Sequence, residues 1–232
     1  MSCLRVIRDL QELLLPRTCP VCGKLLMESE DVLCAFCAIG LPRYHVLNIS
    51  DNPMLRVIWD RADVRRATTF LTYNHNSPYH NLVIGIKFHG NSDLAVRLGQ
   101  WAAMEAEKQG FWEGADALVP VPLTWLRRLK RGYNQAEMLA RGMSQVTGLP
   151  VMNFLKRTKN RTPQSRLKGE ERLKNAEGIY FATEIPDEWK GKRLVLVDDV
   201  MTTGATLGSC ANALLCADGS AEICIFPLSY AG

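Results

Sequence analysis

The 232 residues are 47% hydrophobic and 22% charged, with a formal net charge of +4. That balance excludes disordered, collagen-like and low-complexity chains, and the length is enough to bury a core without disulfides. The net charge is too small to mark a nucleic-acid binder by composition, so the distribution of charge matters more than its sum.

At the N-terminus, Leu4, Ile7, Leu10 and Leu14 predict a helix over residues 2–15, stopped by Pro16. Arg5, Arg8, Asp9, Gln11 and Glu12 break the apolar run that a signal peptide carries. No apolar run reaches the roughly 18 residues of a membrane span. A cytoplasmic address and no membrane span are expected. Residues 17–43 carry Cys19, Cys22, Cys34 and Cys37 as CPVC and CAFC, separated by eleven residues. Disulfides are rare in a reducing cytoplasm, whereas two CxxC turns bring four thiolates onto one tetrahedral ion. Gly23 offers the positive φ that such a turn wants. A structural Zn2+ site with no open position is expected, the alternative being buried or redox-active thiols. Cys210, Cys216 and Cys224 lack ligand spacing and read as core packing, and Cys3 has none either.

Residues 46–65 read as a linker, opened by the polar stretch HVLNISDNP (45–53). Beyond it, strands are predicted at 67–74, 117–122, 178–183, 193–199 and 221–229, and helices at 77–88, 92–108, 133–147 and 204–217. Strands alternating with helices predict a parallel sheet flanked by helices on both faces. The organisation expected is an N-terminal helix and metal module (1–45), a linker (46–65) and an α/β domain (66–232).

Positive charge is concentrated in two places. Between residues 156 and 174 there are eight basic residues and two acidic ones, and Arg127, Arg128, Lys130 and Arg131 form a second cluster. Both suggest anionic partners, against the alternative of a solvated basic surface. The densest chemistry is VLVDDVMTTGAT at 195–206. An apolar strand ends in Asp198 and Asp199, then a small-residue and hydroxyl loop opens into a helix. Free N–H groups at a helix start make an anion site. Thr202, Thr203 and Thr206 add hydroxyls, and Gly204 permits close backbone approach. Two adjacent carboxylates only accept hydrogen bonds, which suits a pair of vicinal sugar hydroxyls. A ribose 5-phosphate fits both ends of the stretch. His45, His75, His80 and His89 all lie far from it in sequence and read as surface or helix-face residues.

Residues 195–206 resemble the phosphoribosyl pyrophosphate (PRPP) signature of type I phosphoribosyltransferases. With the paired CxxC turns and PVPLTWLRRLKRGYNQAEMLA (120–140), nearly the whole chain resembles the ComF/GntX family of bacteria, implicated in competence or in use of external DNA as nutrient. The resemblance implies a type I phosphoribosyltransferase-like α/β fold with a zinc-binding module. It implies that Asp198 and Asp199 bind the ribose hydroxyls of PRPP and that Met201, Thr202, Thr203, Gly204, Ala205 and Thr206 wrap its 5-phosphate. Arg128, Lys130 and Arg131 would meet the pyrophosphate with Mg2+, within a sharper RGYNQ turn (131–135). Lys156, Arg157, Gln164 and Arg172 would belong to a lid. Two functions stay open. One is a PRPP-binding protein of nucleotide metabolism, whose chemistry as a pentosyl transferase would be displacement at ribose C1. The other is a non-catalytic accessory of DNA uptake or catabolism that binds single-stranded DNA or a DNA-uptake protein. Trp112, Trp125, Tyr133 and Trp189 would be its stacking candidates, or core residues. The acceptor base has no recognisable pocket in the sequence.

Overall fold

A computed structural model of the protein describes residues 17–88, 91–157 and 179–232. Its elements in chain order are α1 (Ala35–Ile39), α2 (Pro53–Trp59), β1 (Arg66–Ala67), β2 (Leu71–Thr72), α3 (His80–Phe88), α4 (Ser92–Glu107), β3 (Ala117–Pro120), α5 (Trp125–Arg131), α6 (Gln135–Thr147), β4 (Leu155–Arg157), β5 (Tyr180–Ala182), β6 (Arg193–Met201), α7 (Ala205–Ala217) and β7 (Glu222–Tyr230). The sheet runs β1–β7–β6–β3 with β2 also on β7, and every pairing in it is parallel. This is the expected α/β class.

The central strand β6 reads LVLV through its middle, and all four of those residues are buried. A continuous apolar run is what a parallel strand covered on both faces needs. Side chains alternate across it. Val195 and Val197 pack with Leu82, Ile86, Leu98 and Leu139 of α3, α4 and α6. Leu194 and Leu196 pack on the other face with Ile58, Leu207 and Leu214 of α2 and α7. Helices α4 and α6 touch through Gly99 and Gly142, where an added Cβ would overlap the carbonyls of Leu139 and Val96. Trp112 belongs to this core: its ring stacks on Phe226 with centroids 5.5 Å apart, and its Nε1 donates to Ala103 O.

Several elements differ from expectation. The strand expected at 67–74 is two short pieces, β1 and β2, both on β7. Opposite the gap lies Pro227, which has no N–H to give, and Thr69 Oγ1 bonds its carbonyl instead. The stretch expected as a linker contains α2, with Met54, Leu55 and Ile58 fully buried. Its Asn-Pro looks like a loop signal, yet Asn52 is the N-cap, accepting from Leu55 N, and Pro53 takes the first helical turn. The pair β4 and β5 forms a separate antiparallel ribbon beside α7. Cys210 and Cys224 are buried as expected, but Cys216 is exposed, on the outer side of α7. The helix expected at 2–15, Cys3 and His89 lie outside the described residues. Among the described residues, no helix is long and apolar enough to cross a membrane.

Candidate anion site at the carboxyl edge of the sheet

The four-cysteine module holds together at close range. The Sγ atoms of Cys19, Cys22, Cys34 and Cys37 all lie within 4.8 Å of one another, and those of Cys22 and Cys34 are 3.6 Å apart. A tetrahedron of thiolates about 2.3 Å from zinc has edges of roughly 3.8 Å. The four cysteines therefore fit a zinc ion. Gly23 has φ +75°, as the first CxxC turn requires, and its N–H donates to Cys19 O. Burial pushes the Cys19 thiol up, but backbone N–H groups of Cys34, Cys22 and Val21 outweigh it and bring the thiol down to about 7. Burial and the neighbouring sulfurs push Cys37 up. The module does not stand apart: Val21, Val32, Leu33 and Leu41 share the α3–α4 core. Tyr79 Oη donates to Cys37 O, and Arg97 of α4 pairs with Asp31.

The second site is the carboxyl end of β6, where ligands bind in open parallel sheets. The alternation that buries Leu194 and Leu196 on one face continues to Asp198, and that of Val195 and Val197 continues to Asp199. The two carboxylates therefore leave the strand on opposite sides, with Lys87 and Arg157 as the nearby cations. Asp199 Oδ2 lies 3.3 Å from Lys87 Nζ, at the end of α3, with both side chains largely buried. Asp198 feels Lys87 as well, and then Arg157 of β4, whose guanidinium sits 5.0 Å over the Tyr180 ring. Burial first, and then the Asp199 charge, push Asp198 up to about 8, against the pull of the Asp199 N–H, which donates to Asp198 Oδ1 at 2.8 Å. The same pocket pushes Tyr180 up to about 12, chiefly by burial.

The loop after the carboxylates is backed by α2. Met201 ends β6 with its side chain buried, so only its main chain can face a ligand. Thr202, Thr203 and Thr206 are exposed. Gly204 is the N-cap of α7 at φ +70°, and Ile58 Cγ1 lies 3.0 Å from where its Cβ would stand. No side chain caps α7, so the first N–H groups of this helix, from Ala205 on, are offered outward.

The loop after β3 leads into α5, in which no residue is buried. Trp125 is 56%, Leu126 69% and Leu129 68% exposed. Arg128 and Lys130 are exposed, and the Arg128 guanidinium lies 4.0 Å from Glu137 of α6. Arg131 turns back to donate to Gln135 Oε1 at 2.8 Å. Asn134 caps α6 and donates through Nδ2 to Val121 O. Gln135 Nε2 is buried without a hydrogen-bond partner. Of the residues assigned to a lid, Arg157 faces inward, whereas Lys156 is exposed on the opposite face of the ribbon. Gln164 and Arg172 lie outside the described residues. Of the aromatic candidates, Tyr133 Oη donates to Ile86 O, and Trp189 packs edge-on against Phe154.

Sequence reasoning missed Lys87, the Gln135 donor and the support from α2. The first has no motif, since its partner is distant in sequence. The second stood inside the RGYNQ turn, and an Asn-Gln pair at a helix start after a strand was its signal.

The molecule is thus a parallel α/β protein with a paired-carboxylate strand end, a threonine loop opening into a helix, and a four-cysteine module. No family model matches the chain. It is 34% identical over 120 residues to "Competence protein F" of Haemophilus influenzae, covering 51% of this chain and 52% of that protein. It is 29% identical over 214 residues to "DNA utilization protein YhgH" of Escherichia coli, covering 90% of this chain and 88% of that protein. It is 28% identical over 210 residues to "Competence protein ComFC" of Bacillus subtilis, covering 90% and 76%. Among solved structures, the glutamine phosphoribosylpyrophosphate amidotransferase of B. subtilis overlaps 56% of this chain and 25% of its own, with a TM-score of 0.40 and 22% identity. The chain is thus similar to competence and DNA utilization proteins, over about half the length of the first and most of the length of the others.

Proposed function

We propose that the protein binds PRPP with Mg2+ at the carboxyl edge of the sheet and serves the use of incoming DNA. The names of its relatives supply the second half of that reading. The first half is carried by one observation: Asp198 and Asp199 lie near the carboxyl end of the central parallel strand β6, and exposed Thr202 and Thr203 lead into α7, whose first N–H groups lack a side-chain cap. Asp198 and Asp199 would take the ribose hydroxyls. The main chain from Met201 to Ala205, with the hydroxyls of Thr202, Thr203 and Thr206, would take the 5-phosphate. Arg128, Lys130 and Arg131 would face the pyrophosphate. Mg2+ takes hard oxygen donors, which the two carboxylates, the sugar and the pyrophosphate supply. It would neutralise charge on a departing pyrophosphate. A transfer reaction would form a bond from an acceptor nitrogen to ribose C1 as the C1–O bond to pyrophosphate breaks. The zinc would be structural, because four thiolates leave no open position.

A second reading, an accessory of DNA uptake without catalysis, is favoured by α5, which exposes Trp125 beside Arg127, Arg128 and Lys130. Calorimetric titration with PRPP–Mg2+ and with single-stranded DNA, each over a salt series, separates the two. Saturable PRPP–Mg2+ binding is expected under the first. DNA binding that falls steeply with salt, with no PRPP–Mg2+ binding, would favour the second.

A further inference from the structure

Three rings meet outside the two sites described above. Tyr73 and His75 follow β2, and His80 opens α3. Tyr73 Oη lies 2.9 Å from His80 Nδ1. The His75 ring stacks against Tyr73 at an interplanar angle of 25°, and the centroids of the two imidazoles are 5.9 Å apart. The turn between the histidines is fixed by its own bonds. Asn74 Oδ1 accepts from Asn76 N, Asn74 O accepts from Ser77 N, and Ser77 O accepts from His80 N. Apart from the Tyr73 contact, neither imidazole has a hydrogen bond or an ion pair among the described residues.

His75 is exposed and His80 half-buried, so the pair contributes little to a core. Its geometry suits a metal ion. A ligating histidine commonly donates its second ring N–H to a fixed oxygen, which sets the tautomer and aims the other nitrogen. Tyr73 Oη can accept from Nδ1–H in this way, leaving the lone pair on His80 Nε2 for an ion. With a metal–nitrogen bond of about 2.1 Å and a ring centre about 1.1 Å behind the nitrogen, each centroid stands about 3.2 Å from the ion. Centroids 5.9 Å apart then subtend roughly 135° at it, a small swing of the exposed His75 ring from a tetrahedral angle. Imidazole nitrogen favours Zn2+, Ni2+ or Cu2+ over Mg2+. We propose that His75 and His80, with Tyr73 as the positioning residue, form an open, exchangeable site for a divalent transition cation. Two protein ligands leave the other positions to water or to a further ligand, unlike the closed set of four thiolates. The site does not depend on the PRPP reading.

Ni2+ is the probe, titrated by calorimetry into zinc-loaded protein that carries no histidine tag, with zinc content followed by elemental mass spectrometry. Wild type should take up one Ni2+ with a Kd of about 10 µM or tighter. His75→Gln and His80→Gln should each weaken binding at least tenfold. Tyr73→Phe keeps the ring, loses the hydroxyl and should weaken binding about tenfold. His45→Gln should leave it unchanged. Saturating Ni2+ should raise the melting temperature of wild type but not of His80→Gln. A wild-type Kd weaker than about 100 µM overturns the proposal. So does full affinity in His75→Gln or His80→Gln, or nickel uptake matched by loss of zinc. Full affinity in Tyr73→Phe overturns the role given to Tyr73. Circular dichroism and metal-free melting of each variant exclude misfolding as the cause.

Discussion

Asp198→Asn should stabilise the protein, and more so at higher pH. In the folded state this carboxyl rises from an ordinary 3.8 to about 8, first through burial and then through the Asp199 charge beside it. A folded-state value above the unfolded one means that the native state binds the extra proton. Its stabilising effect is complete below about pH 4 and is lost as pH climbs toward 8. At about 1.36 kcal/mol for each of roughly four pH units, the upper bound is about 5 kcal/mol. The two carboxylates titrate together, so the cost is shared. Roughly 2–3 kcal/mol is then the expected gain from Asp198→Asn at pH 8, with little change at pH 4. The substitution keeps the shape, and the Asn oxygen can still accept from the Asp199 N–H. Chemical denaturation of both proteins at pH 4, 6 and 8 measures the difference. A gain that is flat with pH, or a loss at pH 8, would refute the idea that ionising Asp198 is costly in this pocket.

Purified protein should carry one zinc per chain, and Cys37→Ser should lose it, as read by elemental mass spectrometry. Limited proteolysis should then cut within residues 17–43, with the sheet intact by circular dichroism; zinc retained in the variant would oppose the four-thiolate site. Gly142→Ala should destabilise the fold by about 1–3 kcal/mol or more, because the new Cβ meets the Val96 carbonyl across the α4–α6 contact. Urea denaturation showing a loss below about 0.5 kcal/mol would mean that the two helices separate at little cost.

Much of this architecture is readable in the sequence because its signals are local. The run LVLVDD gives β6, since four apolar residues in a row followed by two carboxylates suit a strand buried on both faces and open at one end, although the strand runs two residues beyond Asp199, to Met201. The CxxC pairs give the metal module, whose geometry is set within two short turns. Other features depend on what lies opposite. The break between β1 and β2 comes from Pro227 on the neighbouring strand, not from Thr68, Thr69 or Phe70 themselves. Helix α5 buries no side chain, so packing gives it no periodic signature of a core face. The pairing of Lys87 with Asp199 joins a helix end to a strand end far along the chain, and nothing near Lys87 announces it. Alternation along β6 does imply that two successive aspartates face opposite sides. Only the packed structure brings Lys87 and Arg157 to them.

The PRPP site is tested most directly by calorimetric titration of wild type and of the double variant Asp198→Asn, Asp199→Asn with PRPP–Mg2+. Charge-assisted hydrogen bonds are worth about 1.5–3 kcal/mol each. Saturable binding in wild type, weakened roughly ten- to a thousandfold in a double variant that stays folded, is the expected result. Equal affinity in the two proteins, or no binding to wild type, would contradict a PRPP site at the end of β6.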